Sequence, residues 1–336
     1  MRAAVLGAGG FGTALAVHLA RLGHPVRLWA RDPALAAEMT RRSANATYLP
    51  DIAFPAGVEA TALLDRALEG ADLVICAVPS HGVRAVMSAA APLIPPGAVV
   101  VSATKGLETE SLLRMSELLD LVFKHAHPVV VLSGPSFAAE FARQLPTAVC
   151  VASSDLDAAA RVQAELRSSY LRLYASDDVV GVEIGGAMKN IIAIAAGVVD
   201  GLGIGSNAQA ALITRGLTEI GRLATALGAR RETLAGLTGL GDLVLTCTGA
   251  LSRNRHVGSE LAKGRPLKEI LGSMKMVAEG VQTAYAVLAL GAREGVELPI
   301  TTKMVEVLDG RTDVRTAIVE LMLRPQRSEA EPLPPA

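Results

Sequence analysis

Aromatic residues are scarce in this chain: they make up 3% of 336 residues, with a single tryptophan. Its cores must therefore be built from alanine, valine, leucine and isoleucine. The 51% hydrophobic content suits large buried cores and excludes a disordered chain. Cysteine is scarce too. Cys76, Cys150 and Cys247 are odd in number and far apart, with no paired pattern and no zinc spacing. That excludes a disulfide framework and points to reduced thiols and a cytoplasmic setting. Neither sign of charge is in excess, since 32 Lys and Arg against 33 Asp and Glu leave a net charge of −1. With no basic stripe, nucleic acid is excluded as a partner. A long uncharged apolar run is also missing. The run after Arg2 is short and glycine breaks it at once, so no signal peptide is expected. The most membrane-like stretch, GGAMKNIIAIAAGVVDGLG at 185–203, is interrupted by Lys189 and Asp200. Its uncharged part is too short to span a bilayer, so it reads as a buried helix, with no stable membrane insertion.

What is present falls into two halves, as the length allows. Up to residue 178, short apolar runs alternate with helical patterns: AAVLG, VRLWA, LVICAV, AVVVSA, VVVLSG, TAVCVA and a last extended LRLYAS. Near-continuous apolar strands alternating with helices predict a doubly wound, mostly parallel α/β sheet covered on both faces. Residues 179–322 read as helices with no convincing strand, which predicts an all-α C-terminal domain. The Pro- and charge-rich tail, 323–336, reads as disordered. No internal repeat is visible.

The first strand runs into GAGGFG, with Gly7, Gly9 and Gly12 in the G-x-G-x-x-G spacing, and a helical pattern follows. Between a strand and a helix, with a second strand on schedule, this spacing predicts a Rossmann-type dinucleotide site in residues 1–178. The first glycine allows the tight turn, the second lets backbone approach a pyrophosphate, and the third lets helix and strand pack closely. The free N–H groups of the helix start suit the phosphates. An acidic residue at the end of the second strand would hold the 2′-hydroxyl of NAD. Here that strand ends LWARD, and Arg31 stands near the expected place. A guanidinium there suits a 2′-phosphate, so NADP(H) is favoured over NAD(H).

Further candidates lie at the carboxyl ends of strands, where open α/β sheets bind ligands. Lys105 in ATKGLE and Gly134 and Ser136 in SGPSFAAE stand there, although a lone lysine is as readily a surface residue. Lys189 is odder, because it lies among apolar neighbours in GAMKNIIAIAAG. It either snorkels to the surface or is a desolvated lysine able to exchange protons. Asn190 beside it could orient a substrate, and Glu183, about two turns earlier, could share its face. In GLGDLVLTCTGALSRNRHVG, Ser252 reads as a helix N-cap with Arg253 and Asn254 in the first turn, which is either a phosphate site or a plainly capped helix. Asp242 reads as an acceptor for a substrate hydroxyl or as a turn residue. Glu279, in AEGVQT before another helix, carries the same ambiguity.

Taken in order, GAGGFGTA, NATYLP, AVPS, ATKGLE, SGPSFAAE, GAMKNIIAIAAG, GLGDLVLTCT, SRNRHVG and AEGV make the chain resemble the bacterial NAD(P)-dependent glycerol-3-phosphate dehydrogenases, from about residue 2 to 320. The resemblance implies interconversion of sn-glycerol 3-phosphate and dihydroxyacetone phosphate, supplying the glycerol backbone of phospholipids in the cytoplasm. It implies that Lys189 is the proton-exchanging lysine and that Lys105 meets both substrate and cofactor. It implies substrate contacts at Gly134, Ser136, Asp242, Ser252, Arg253 and Asn254, beside the Asn190 already read as a substrate-orienting candidate. Cofactor contacts fall at Gly10, Phe11, Arg31, Tyr48, Ala138, Arg253, Val277 and Glu279. A homodimer is compatible with it, and no metal is called for. The chain departs from the family at Gly10 and Phe11, where Ser and Trp are frequent. Two rivals remain: a β-hydroxyacid dehydrogenase of the same architecture, and a non-catalytic NADP-sensing protein.

Overall fold

A computed structural model describes residues 1–274, 276–326 and 328–329. Most of the 323–336 tail, expected to be disordered, lies outside the described residues. Eight strands form one sheet: β1 (Ala3–Leu6), β2 (Val26–Trp29), β3 (Val58–Thr61), β4 (Leu73–Cys76), β5 (Val99–Ser102), β6 (Val129–Ser133), β7 (Thr147–Ala152) and β8 (Leu171–Ser176). Their order is β3-β2-β1-β4-β5-β6-β7-β8. All neighbours are parallel except β6 and β7. The central β1, β4 and β5 are buried at every residue, which is why they read as unbroken apolar runs. The edge strand β3 is missed by that criterion, because VEAT is half-exposed and carries Glu59.

Among these strands run α1 (Gly10–Arg21), α2 (Pro33–Arg42), α3 (Leu64–Leu68), α4 (Val83–Ala90), α5 (Met115–Phe123), α6 (Ala138–Ala142) and α7 (Leu156–Leu166). The last turn of α1 is anchored by His18, whose Nε2 donates to the Leu166 carbonyl and whose Nδ1 accepts from the Tyr170 hydroxyl, both at 2.7 Å. Burial pushes His18 down to about 4, so the ring is neutral in that role.

Beyond Ser176 the described chain is helical: α8 (Val179–Gly201), α9 (Ser206–Ala226), α10 (Arg231–Ala235), α11 (Asp242–Thr248), α12 (Arg253–Ala262), α13 (Leu267–Ser273), α14 (Glu279–Arg293), α15 (Pro299–Leu308) and α16 (Val314–Met322). By length and composition α8 is apolar enough to cross a membrane, yet 89% of its most apolar window is buried inside the fold. It is the spine of this half, packed by α9, α11, α12, α14 and α15. Its glycines explain the closest of these contacts. A Cβ at Gly197 would lie 1.9 Å from the Arg255 carbonyl, and one at Gly258 would lie 1.8 Å from the Ile194 carbonyl. Only glycine lets α8 and α12 meet backbone to backbone, and this close approach brings the start of α12 against the helix that carries Lys189.

Candidate active site

The glycine turn has the geometry its spacing predicts. Gly7 has φ +116°, and a Cβ there would meet the Ala77 carbonyl oxygen at 2.6 Å. A Cβ at Gly12 would sit 2.0 Å from the Gly7 carbonyl oxygen, whereas one at Gly9 would meet nothing within 4 Å. The first and third glycines are thus fixed by packing, and the second faces open space where backbone can meet a phosphate. Among the described residues no side chain caps α1, so its first N–H groups keep no side-chain partner there. Gly10, Tyr48, Ala138 and Met276 converge here: a Cβ on Gly10 would lie 3.0 Å from the Tyr48 carbonyl, 3.6 Å from Ala138 Cβ and 3.9 Å from Met276 Sδ. A larger residue at position 10 would crowd the Tyr48 carbonyl. Phe11 turns its ring away, toward Phe141 at 6.3 Å between centroids, and packs on the sheet core. What it offers the turn is backbone.

At the end of β2, Asp32 is committed elsewhere: it caps α2, accepting from the Ala34 N–H at 2.9 Å. Arg31 beside it is exposed.

The two candidate lysines share one carboxylate. Lys189 Nζ donates to Asp242 Oδ1, and at 2.9 Å to Thr246 Oγ1. Lys105 Nζ donates to Asp242 Oδ2 at 2.7 Å and to the Gly134 carbonyl at 2.9 Å. Ser136 Oγ donates to that same carbonyl at 3.0 Å. The Thr246 hydroxyl donates in turn to the Asp242 carbonyl at 2.6 Å. Asp242 is fully buried and Lys189 is 6% exposed. Burial pulls the Lys189 ammonium down to about 7; the Asp242 charge holds it up and the Lys105 charge lowers it further. Lys189 is therefore neither snorkelling nor isolated. Asp242 is no turn residue: it opens α11 after the wide helical turn Leu237–Gly241 and pairs with both lysines. Glu183 does not join them. Its two oxygens are taken by Arg114 at 2.6 Å and by the Ser116 N–H and hydroxyl at 2.8 and 2.6 Å, tying α8 to the start of α5.

Ser252 caps α12 as expected, accepting from the Arg255 N–H at 3.2 Å. Arg253 donates to the Val277 carbonyl at 2.7 Å. Asn254 and Asn190 meet each other: Asn254 Nδ2 donates to Asn190 Oδ1 at 2.9 Å, and Asn254 Oδ1 accepts from the Gly280 N–H at 3.0 Å. The pair locks α8, α12 and the start of α14 together. Glu279, the first residue of α14, has its carboxyl pushed up to about 7 by burial, against the pull of the Arg253 charge. Its Oε2 is buried and has no hydrogen-bond partner among the described residues. An acceptor left in that condition is costly unless a bound group satisfies it. With the open face at Gly9, it makes the residues present a fit for a dinucleotide.

Two residues here escape sequence reasoning. Thr246 lies four residues after Asp242, on the same face of α11, and that spacing was the available signal. Asn45 opens NATYLP but carries no charge to draw attention; its side chain is fully buried at the glycine turn.

Comparison with known proteins accords with this geometry. The family model for the N-terminus of NAD-dependent glycerol-3-phosphate dehydrogenase matches residues 2–159, and that for the C-terminus matches 178–319. A protein of Geobacter metallireducens named glycerol-3-phosphate dehydrogenase [NAD(P)+] is 50% identical over 97% of this chain and 98% of its own length. Its namesake in Myxococcus xanthus is 51% identical over 98% and 99%. A crystal structure of glycerol-3-phosphate dehydrogenase from Coxiella burnetii superposes with a TM-score of 0.93 at 41% identity, covering 96% of this chain and 99% of that one. A ketopantoate reductase from Ralstonia eutropha, at 18% identity and a TM-score of 0.60, is similar in fold alone.

Proposed function

The chain belongs to the NAD-dependent glycerol-3-phosphate dehydrogenases, and from that premise we propose that it interconverts sn-glycerol 3-phosphate and dihydroxyacetone phosphate with Lys189 as the proton-exchanging group. The observation that carries this is the shared carboxylate: two lysines from different halves of the chain meet on the buried Asp242. The chemistry that NAD(P)(H) would supply when bound is hydride transfer to or from C2 of the substrate. In reduction, negative charge develops on the ketone oxygen, and the Lys189 ammonium stabilises that charge and gives it a proton. In oxidation, neutral Lys189 takes the hydroxyl proton. A midpoint of about 7 keeps both forms accessible. Asp242 offsets the cost of burying the ammonium, and Lys105 adds positive potential at the same oxygen. Arg253 and the start of α12 hold the substrate phosphate, so remote binding energy orients the carbonyl. Gly134, Ser136, Asn190, Ser252 and Asn254 complete the substrate wall. Gly7, Gly9, Gly10, Gly12, the Phe11 backbone, Tyr48, Ala138, Val277 and Glu279 bound the cofactor.

The same proposal gives the enzyme a role in supplying glycerol 3-phosphate for phospholipids, in the cytoplasm and without nucleic acid or membrane insertion. Balanced charge, free buried thiols and the use of α8 as core support that setting. A homodimer belongs to the proposal too, and light scattering would read it as twice the chain mass. Consumption of NADPH with dihydroxyacetone phosphate is the primary test. Turnover of 2-keto or 3-keto acids without turnover of dihydroxyacetone phosphate would return the chain to the hydroxyacid reading.

The preference for NADP(H) rests on Arg31, since Asp32 is spent on α2. Arg31→Ala is expected to raise KM for NADPH about tenfold, the loss of roughly 1.4 kcal/mol from a partly exposed charged contact. KM for NADH should hardly move, and low salt should widen the gap. Equal effects on both cofactors, measured by initial rates, would withdraw the preference.

A further inference from the structure

The Asn45 side chain reaches three separate pieces of the surface around the glycine turn. Its Nδ2 donates to the Ala8 carbonyl and to Thr13 Oγ1, each at 2.8 Å. Its Oδ1 accepts from the Tyr48 N–H at 3.1 Å. The partners fix the orientation of the amide, because the Ala8 carbonyl can only accept and the Tyr48 N–H can only donate. Ala8 lies inside the glycine turn, between Gly7 and the open Gly9. Thr13 is in the first turn of α1, with its side chain buried. Tyr48 is the residue whose carbonyl stands over Gly10.

The segment bearing Tyr48 joins α2 to β3 and has no regular structure of its own. Backbone contacts close its base: Phe54 N–H donates to the Ser43 carbonyl at 2.7 Å, and Ala44 and Ala53 form a bridge. Its tip is held by Asn45, through the side chain and through its carbonyl, which accepts from the Leu49 N–H at 2.9 Å.

We propose that Asn45 is a positioning residue for dinucleotide binding: one side-chain amide holds the Tyr48 backbone against the glycine turn, so that this wall of the cleft exists before the ligand arrives. The proposal rests on the reading of Gly7, Gly9 and Gly12 as the dinucleotide site. Without the amide, the ligand must order the segment as it binds, and that ordering cost comes out of its affinity. Once the ligand is bound the geometry is restored, so turnover at saturation is preserved. The tie sits at the pyrophosphate turn, which both cofactors share, so both should lose affinity by one factor, unlike the NADPH-selective effect of Arg31→Ala.

The test is Asn45→Ala in the full chain. Fluorescence titration gives Kd for NADPH and NADH, thermal unfolding gives Tm, and kcat is read at saturating cofactor. Both Kd values are expected to rise by the same factor, about fivefold or more, with kcat within about twofold of wild type. A purely structural role would lower Tm and leave both Kd values within about twofold, which would overturn the proposal. So would a fall in kcat as large as the rise in Kd. If Asn45→Ala does not fold, Asn45→Ser is judged by the same split, since serine is too short to span from Tyr48 to Ala8 and Thr13. Gly9→Val separates the two readings by filling the open position. If it binds cofactor like wild type, the site itself is misplaced and this proposal falls with it. If it loses binding while Asn45→Ala does not, only the role of Asn45 fails.

Discussion

Lys189→Met is expected to lower kcat in both directions by about a hundredfold or more, while Kd for NADPH stays within about twofold. Methionine fills nearly the volume of the lysine stem without a charge or a proton. Asp242 is not orphaned, because Lys105 still donates to its Oδ2 at 2.7 Å. The folded core should therefore survive, and the loss should report chemistry. Two contributions disappear together: a positioned acid, and a fixed charge where the oxygen becomes negative. Each is commonly worth about two orders of magnitude or more, and they overlap because one group supplies both. The glycine turn and Arg31 are untouched, so cofactor titration separates binding from turnover. Turnover within a few-fold of wild type would remove Lys189 from the chemistry.

Arg253→Ala is expected to cost roughly 2–4 kcal/mol in kcat/KM for dihydroxyacetone phosphate, the scale of a charged hydrogen bond to phosphate in a partly closed site. Unphosphorylated dihydroxyacetone should be a poor substrate for wild type and variant alike, and nearly equally poor, since neither uses the missing contact. Two secondary effects follow from what Arg253 touches. Its donation to the Val277 carbonyl is lost, so KM for NADPH should rise modestly. Its charge also opposes the effect of burial on Glu279, so that carboxyl should move further above about 7. Equal losses on the phosphorylated and unphosphorylated substrates would mean that Arg253 supports the fold and holds no phosphate.

Much of this molecule is legible in its sequence, for identifiable reasons. The strands of the sheet centre are buried on both faces, so they must be apolar throughout. The glycine turn is written in Gly7 and Gly12, where any Cβ would strike backbone. Lys189 is conspicuous because an ammonium in an apolar helix needs a reason. The capping role of Ser252 follows from a small polar residue placed just before a helical run. What is illegible depends on long-range approach. Asp242 reads locally as a turn between glycines, and its role as counter-ion to both lysines exists only once α11 packs on α8 and faces the end of β5. Glu183 reads as a neighbour of Lys189 by helical spacing, but Arg114 and Ser116, distant in sequence, claim it. Asn190 and Asn254 are 64 residues apart and bond to each other, which spacing cannot show. The ring of Phe11 turns toward Phe141 for the same reason. The edge strand β3 is missed because a half-exposed strand needs no apolar run.

The central claim, that Lys189 carries the proton between substrate and solvent, is tested most directly by the pH dependence of kcat/KM in both directions on the wild-type enzyme. kcat/KM reports the ionisation of the free enzyme. Burial has brought Lys189 from an ordinary lysine value to about 7. The acid form is needed to reduce the ketone and the basic form to oxidise the alcohol. Reduction should therefore fall as pH rises through this region, oxidation should rise, and the two profiles should share a midpoint near 7. Profiles that are flat from about pH 6 to 8, or that bend in the same direction for both reactions, would contradict the assignment of Lys189 as the proton-exchanging group.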